Sequence, residues 1–287
     1  MITSRSQRWR ERRDAFVPTS TTIDPSRYAV DVIPCIGTAK PFVQTHHYSG
    51  SFPASRLSVG LFANGPAGRS VLSGVATFSV PMNNAAVPKH AGRLAPSQGV
   101  DLGRFVLLDS VPGNGETWFL ARAFRLLRAE KPRVLAVIAY ADPMERRAPG
   151  GALIKPGHIG GIYNAFGATY RGRTAPRTEY LGPDGGVVSE RALSKVRSGD
   201  RGHAYAAADL VKRGAPRPSG MDGSAWIAEL RRCGWLTTRR HNGNHVYAFA
   251  LTKAARLAAG DLPSLTHPTL DRGPNGGDAT ALPLLAA

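Results

Sequence analysis

Cysteine is nearly absent from this chain: Cys35 and Cys233 are the only two in 287 residues, and no CxxC pair occurs. That excludes a disulfide-stapled scaffold and a zinc knuckle, and it fits a reducing compartment such as the cytoplasm. Long apolar runs are missing too. No stretch approaches the roughly 18 residues that a membrane-spanning helix needs. Met1–Arg13 is polar and basic with no apolar segment behind it, so neither a membrane anchor nor a secretory signal is expected. Acidic residues are scarce, 20 against 37 lysines and arginines, which leaves a formal charge of +17. A surface of that sign suits a polyanion, and with no basic amphipathic helix to meet a membrane, nucleic acid is the favoured partner. An arginine-rich genome would raise the charge by itself, so charge alone names neither DNA nor RNA.

Several catalytic signatures are also missing. There is no GKS or GKT of a phosphate-binding loop, no GxSxG, no HExxH, and no HxE with PCxxC. Walker-type nucleotide hydrolysis, a nucleophile-elbow serine hydrolase, a zincin and a zinc deaminase are set aside on that ground.

The chain that is left alternates structural signals. Arg5, Arg8, Arg10, Arg12 and Arg13 crowd around Trp9 and read as a basic arm or a short helix. Leu57–Phe62 and Val71–Val80 read as an antiparallel pair around the Asn64-Gly65-Pro66 turn. Pro81–Gly99 reads as loop. Phe105–Leu108 is a short apolar strand, Pro112-Gly113-Asn114-Gly115 breaks it, and Leu120, Phe124 and Leu127 then recur at helical spacing with Asn114 as N-cap. Lys131-Pro132 stops that helix, and Val134–Tyr140 is apolar enough for a strand buried on both faces. Strand, helix and strand at this length predict a parallel crossover. Beyond it, Arg146–Gly157 reads as loop and His158–Phe166 as a short helix. Tyr170 and Thr178–Leu181 read as strands, Ser189–Gly214 as two helical pieces, and Trp226–Cys233 as a helix. Trp235–Arg240 and His245–Leu251 read as a hairpin around Asn242-Gly243-Asn244. The divisions expected are a basic arm over 1–26, a catalytic domain over 27–252 and a disordered tail over 253–287.

Four clusters could carry chemistry. Gly113 to Gly115 follows a strand and opens a helix, where backbone N–H groups attract phosphate, although a plain tight turn would read the same and Glu116 would oppose an anion. His46-His47-Tyr48 could supply a proton shuttle or ligands, or could be a surface loop; on a strand His46 and His47 would face opposite ways. Asp142 ends the apolar strand at the place where α/β folds put ligands, or else caps a turn. Gly157-His158-Ile159-Gly160-Gly161-Ile162-Tyr163 allows close approach of a ligand or of another backbone.

These blocks, in this order, resemble the Mom family of DNA adenine-modification enzymes. The residues that carry the resemblance are His46-His47-Tyr48-Ser49-Gly50, Leu102–Asp109 with Pro112–Leu120, Tyr140-Ala141-Asp142-Pro143, and Gly157–Gly160 through Ile162-Tyr163. It covers roughly Tyr28 to Leu251, with the Arg146–Lys155 insertion and the long tail as departures. The resemblance implies an α/β (α+β) fold of the GNAT acyltransferase type, a central mixed twisted sheet flanked by helices. It implies transfer of a methylcarbamoyl group to N6 of adenine in double-stranded DNA, which shields phage DNA from restriction. Acyl-coenzyme A is the implied donor, held by Val111, Gly113, Asn114, Gly115 and Glu116, and iron is raised as a cofactor with His47, Tyr48 and Asp142 as ligands. Catalytic roles are implied for His47, Tyr48, Asp142 and Tyr163, and base stacking or DNA contact for Trp118 and His158. Two other readings stay open: a GNAT-type acetyltransferase on another amine, and a non-enzymatic DNA-binding protein in which Trp226–Cys233 and the Asn242-Gly243 hairpin form a winged-helix-like module.

Overall fold

The computed structural model describes residues 5–10, 13–18, 22–65, 68–155 and 157–269. At the start, β1 (Arg5–Arg10) and β2 (Arg13–Pro18) pair as an antiparallel hairpin, where the charge run predicts an arm or a helix. Trp9 and Gln7 alternate with arginines there, a period of two that suits a strand. Residues 1–4, 11–12 and 19–21 of the expected arm lie outside the described residues.

β3 (Tyr28–Ile33) leads into α1 (Lys40–His46), which has Pro41 in its first turn. The His46-His47-Tyr48 cluster therefore stands at a helix end and not on a strand. β4 (Ser55–Asn64) and β5 (Ser70–Ser79) are the expected antiparallel pair, with Gly60 opposite Val75. A short helix, α2 (Ala86–Ala91), corrects the reading of 81–99 as loop; its Val87 is fully buried beneath Gly99. β6 (Gly99–Leu107), α3 (Gly115–Glu130) and β7 (Ala136–Ala141) form the expected crossover, with β6 and β7 parallel. Phe119, Leu120, Ala123, Phe124 and Leu127 of α3 are buried against the sheet, the wide apolar stripe of a core-facing helix.

Next come β8 (Arg146–Arg147) and β9 (Leu153–Lys155), a small ladder inside the stretch read as loop, then α4 (Gly161–Ala165) and β10 (Thr169–Arg173). β11 (Arg177–Leu181), β12 (Val187–Val188), α5 (Glu190–Ser198), α6 (His203–Lys212), α7 (Gly223–Arg232) and β13 (Thr237–His241) enclose a second core around Leu193, Leu210, Trp226 and Leu230. β14 (His245–Ala250) returns to the main sheet, and α8 (Lys253–Ala258) follows.

The main sheet is mixed, seven strands in the order β10-β14-β7-β6-β5-β4-β3. α3 covers one face, α1 covers part of the other, and α2 and α8 cover the rest. This is the α/β class expected, a central mixed sheet flanked by helices. Two expectations fail. β13 and β14 do not form a hairpin: β13 pairs with β11 in the small sheet and β14 with β7 and β10 in the large one. Thr174 is the reason, for it exchanges hydrogen bonds with Asn244 and leaves no room for a side chain at Gly243. The winged-helix reading thereby loses its wing. The tail also orders further than expected. Arg171 holds the carbonyls of Leu262 and Pro263, Leu265 N–H donates to Tyr170, and His267 meets Tyr247. Residues 253–269 are thus tied to the sheet edge, and 270–287 lie outside the described residues.

Candidate active site

The one parallel pair in the main sheet parts early. β6 and β7 are paired only from Gly99–Asp101 to Ala136–Ile138, although β6 runs on to Leu107 and β7 to Ala141. Beyond that point the two strands have no ladder between them, and the carboxyl end of β7 is where open α/β sheets receive ligands. Asp142 is the next residue on the chain.

Asp142 is held from three sides. Lys155 Nζ lies 2.8 Å from its Oδ2 and also donates to the carbonyls of Met144 and Asp142. Met144 N–H and His241 Nε2 each reach Oδ1 at 3.0 Å. Burial alone would raise the carboxyl, but the Lys155 ammonium and these hydrogen bonds outweigh it and hold Asp142 well below the usual carboxylate range. Burial in turn pulls the Lys155 ammonium down, against the pull of Asp142. His241 Nδ1 accepts from Gly243 N–H, so in the neutral ring Nε2 carries the proton and donates to Asp142. Behind it Glu179, also buried, takes a fork from Arg239 and a bond from Arg177.

Tyr48 enters from the end of α1. Its ring lies 4.2 Å from that of His47, and Lys155 Nζ stands 5.6 Å from the Tyr48 ring centre. Burial, then the charge of Asp142, pushes the Tyr48 phenol up, so it is a proton donor at neutral pH. His47 closes the helix and accepts Ser49 N–H at Nδ1. Burial, with Arg104, His158 and Lys155 close by, lowers its pKa to about 3. His158 donates its own N–H to the Asp142 carbonyl, and burial next to Lys155 lowers its ring to about 4. Tyr163 is buried, with a phenol raised by burial and then by Tyr48.

His47, Tyr48, Asp142, His158 and Tyr163, from three separate segments, therefore meet in one place. Gly157 and Gly160 let them: a side chain at Gly157 would strike the Pro143 carbonyl, and one at Gly160, where φ is +80°, would strike the Tyr247 ring. The close approach expected at these glycines is to another backbone and a ring. Trp118 is placed elsewhere. Arg122 stacks on its ring at 3.5 Å and Tyr28 meets it edge-on, so its face is not open to a base. The turn of Val111, Gly113, Asn114, Gly115 and Glu116 does open α3, with Asn114 left-handed at φ 62° and not capping through its side chain. Part of its backbone is engaged, since Gly113 O accepts from Ile23 and Gly115 N–H donates to Pro112.

Lys155, His241, Glu179, Arg239 and Arg104 were not visible as site residues in the sequence. Lys155 sits in the insertion set aside as a departure, and a lone lysine between apolar residues was the only signal it gave. Among the described residues, the His, Asp and Glu groups that could jointly hold a metal ion are Asp142, Glu179 and His241. They do not fit one as they stand. Lys155, Arg239 and Arg177 already neutralise the two carboxylates, and His241 presents a proton. Asp142, the member shared with the expected iron set of His47, Tyr48 and Asp142, would have to give up Lys155 first.

Comparison with known proteins settles the family. The model of the Mom protein family matches residues 27–220, more than half of the chain. The chain belongs to the Mom family. The match ends before α7, β13 and His241. Among solved structures, a tandem GNAT protein from the clavulanic acid biosynthesis pathway (without AcCoA) is similar over 77% of this chain and 90% of its own, at 12% identity and a TM-score of 0.35. No curated protein matches.

Proposed function

We propose that this chain modifies adenine in double-stranded DNA, placing a methylcarbamoyl-type group on N6. The observation that carries the reading is the meeting of Tyr48, Asp142, Lys155, His158 and Tyr163 beside the parting of β6 and β7, in a family whose implied activity is DNA adenine modification. The N6 lone pair is delocalised into the ring, so the amine attacks poorly, and an acceptor site must extrude the base, orient it and take a proton away. An acyl-coenzyme A would supply an electrophilic carbonyl, and the turn before α3, where backbone N–H groups open a helix, would hold its phosphates.

The chain's own groups divide that work. Asp142 is saturated with donors, so it orients and does not act as base. It fixes Lys155 and His241 and so holds the segments that carry Tyr48 and His158 in register. Tyr48 presents a phenol that stays protonated and would give its proton to the departing sulfur as the donor's C–S bond breaks and the N6–C bond forms, so that the donor would leave as a thiol. His47, with Nδ1 spent on Ser49, donates from Nε2. His158 is left as the neutral imidazole that accepts the N6 proton. A base with a pKa of about 4 suffices, because an amine that has just attacked a carbonyl is itself a strong acid. The closing of the site by buried Tyr163 keeps water from the donor.

The test is restriction resistance. Plasmid DNA from cells expressing the chain should resist adenine-containing cutters, and DNA from cells expressing Asp142→Asn should be cut. Full cutting in both, with soluble protein in both, would overturn the proposal; acylation of some other amine by the purified chain would then favour the acetyltransferase reading.

A further inference from the structure

β13 has two faces with different business. Arg239 and His241 turn toward Glu179 and Asp142 at the site. Thr238 and Arg240 turn the other way and are exposed. Where β13 begins, Leu236, Thr237 and Thr238 line an open groove whose other wall is Ala228, Arg231 and Arg232 of α7, and the Thr237 hydroxyl is spent on the Leu181 carbonyl. From Arg231 to Arg240 the sequence holds four arginines and no acidic residue. Arg232 is spent on Glu229 and Arg239 on Glu179. Among the described residues Arg231 and Arg240 have no carboxylate partner, and both are exposed.

We infer that the DNA backbone lies in the α7–β13 groove and runs on along the outer face of β13, with Arg231 on one phosphate, Arg240 on a further one and the Thr238 hydroxyl between them. The inference rests on the reading of the chain as a DNA-modifying enzyme and names the surface that would hold the duplex. Charge complementarity is one argument: the Arg231 guanidinium and the Thr238 hydroxyl at the groove, with the Arg240 guanidinium two residues further along the same face of β13, are the donors that phosphate oxygens take. Distance is the other. A strand advances about 3.3 Å per residue, so Thr238 and His241 are about 10 Å apart along β13, roughly three base-pair rises of a duplex. A backbone at Thr238 thus lies about 10 Å along β13 from the position of His241, with the edge of β13 to be rounded by an extruded nucleotide.

The experiment measures binding of a short labelled DNA duplex by the full chain as salt is varied. Each phosphate contact contributes about 0.9 to the slope of log affinity against log salt. The Arg231→Ala/Arg240→Ala double variant should flatten the slope by roughly two and raise the KM for DNA while leaving kcat at saturating DNA unchanged. Arg231→Lys/Arg240→Lys keeps the charges and should keep most of the slope. Arg191→Ala, an exposed arginine on α5 away from the groove, should change nothing. A wild-type slope that the Ala double variant leaves intact, with both proteins folded, would overturn the groove without touching the DNA-modification reading. Wild-type protein whose affinity for DNA is indifferent to salt would overturn both.

Discussion

Asp101 lends itself to a sharp test, because nothing in the proposed chemistry uses it. It sits on β6 between Ser79 and Ile138, is 8% exposed, and its Oδ1 has no hydrogen-bond partner among the described residues. Burial pushes its carboxyl up to about 7, and the same carboxyl helps burial raise the Tyr140 phenol. A carboxyl raised from 3.8 binds its proton more tightly folded than unfolded. Its ionisation is therefore a cost to folding that is absent below about pH 4, grows between pH 4 and 7, and is complete above 7. A shift of about three units at about 1.4 kcal/mol each sets a ceiling near 4 kcal/mol. Asp101→Asn removes the charge and keeps the shape, but the amide keeps an unpaired polar group, so a gain of about 2 kcal/mol at pH 8 is expected. For a chain of this size that is a rise of several degrees in Tm. Thermal melts of wild type and variant at pH 4.5 and pH 8 should show the gain at pH 8 and nearly none at pH 4.5. Equal Tm values at pH 8, or a difference independent of pH, would refute the reasoning.

Other outcomes follow from the site. Lys155→Met leaves Asp142 charged and buried without its main partner, so it should cost about 3 kcal/mol or more in chemical denaturation and abolish modification. Gly160→Ala places a side chain at a left-handed backbone and against the Tyr247 ring; a loss of about 2 kcal/mol or more is expected by the same assay. With His47 near 3 and His158 near 4, both rings stay neutral down to mildly acidic pH. The rate should be level from about pH 8 to pH 5 and fall only below it, and a midpoint near the unperturbed imidazole value would count against these assignments. The same depressed values mean that stability is full above the unfolded histidine pKa of about 6.5 and declines as pH falls beneath it. Trp118→Ala should lower stability by removing the Arg122 and Tyr28 contacts, with modification of DNA retained in the folded fraction.

The sequence was most readable where one physical rule acted alone. The α3 stripe, the apolar run of β7 and the β4–β5 pair each follow a single period, and Asp142 was legible as a carboxylate at the end of a buried strand. Elsewhere a tertiary contact overrode the local signal. Asn242-Gly243 has the composition of a hairpin turn, yet Gly243 is needed because Thr174 crosses it. The Pro- and Gly-rich tail looks unstructured, yet Arg171 and Tyr247 hold its first part by carbonyls and a ring that no local pattern announces. The partners of Asp142 were illegible for the same reason: Lys155 and His241 lie 13 and 99 residues away, and only the fold decides that both turn toward one carboxylate. The glycines at 157 and 160 were correctly singled out for close approach, but the sequence could not say that a backbone and a ring, and not a ligand, were what came close.

The central claim is that this constellation alters adenine in DNA, and the most direct measurement is the mass spectrum of nucleosides from DNA of cells expressing the chain. The account expects a modified deoxyadenosine, heavier by the added carbamoyl-type group, in cells with the wild-type chain and its absence in cells with Asp142→Asn. Unmodified deoxyadenosine throughout, with the wild-type protein soluble and folded, would contradict it.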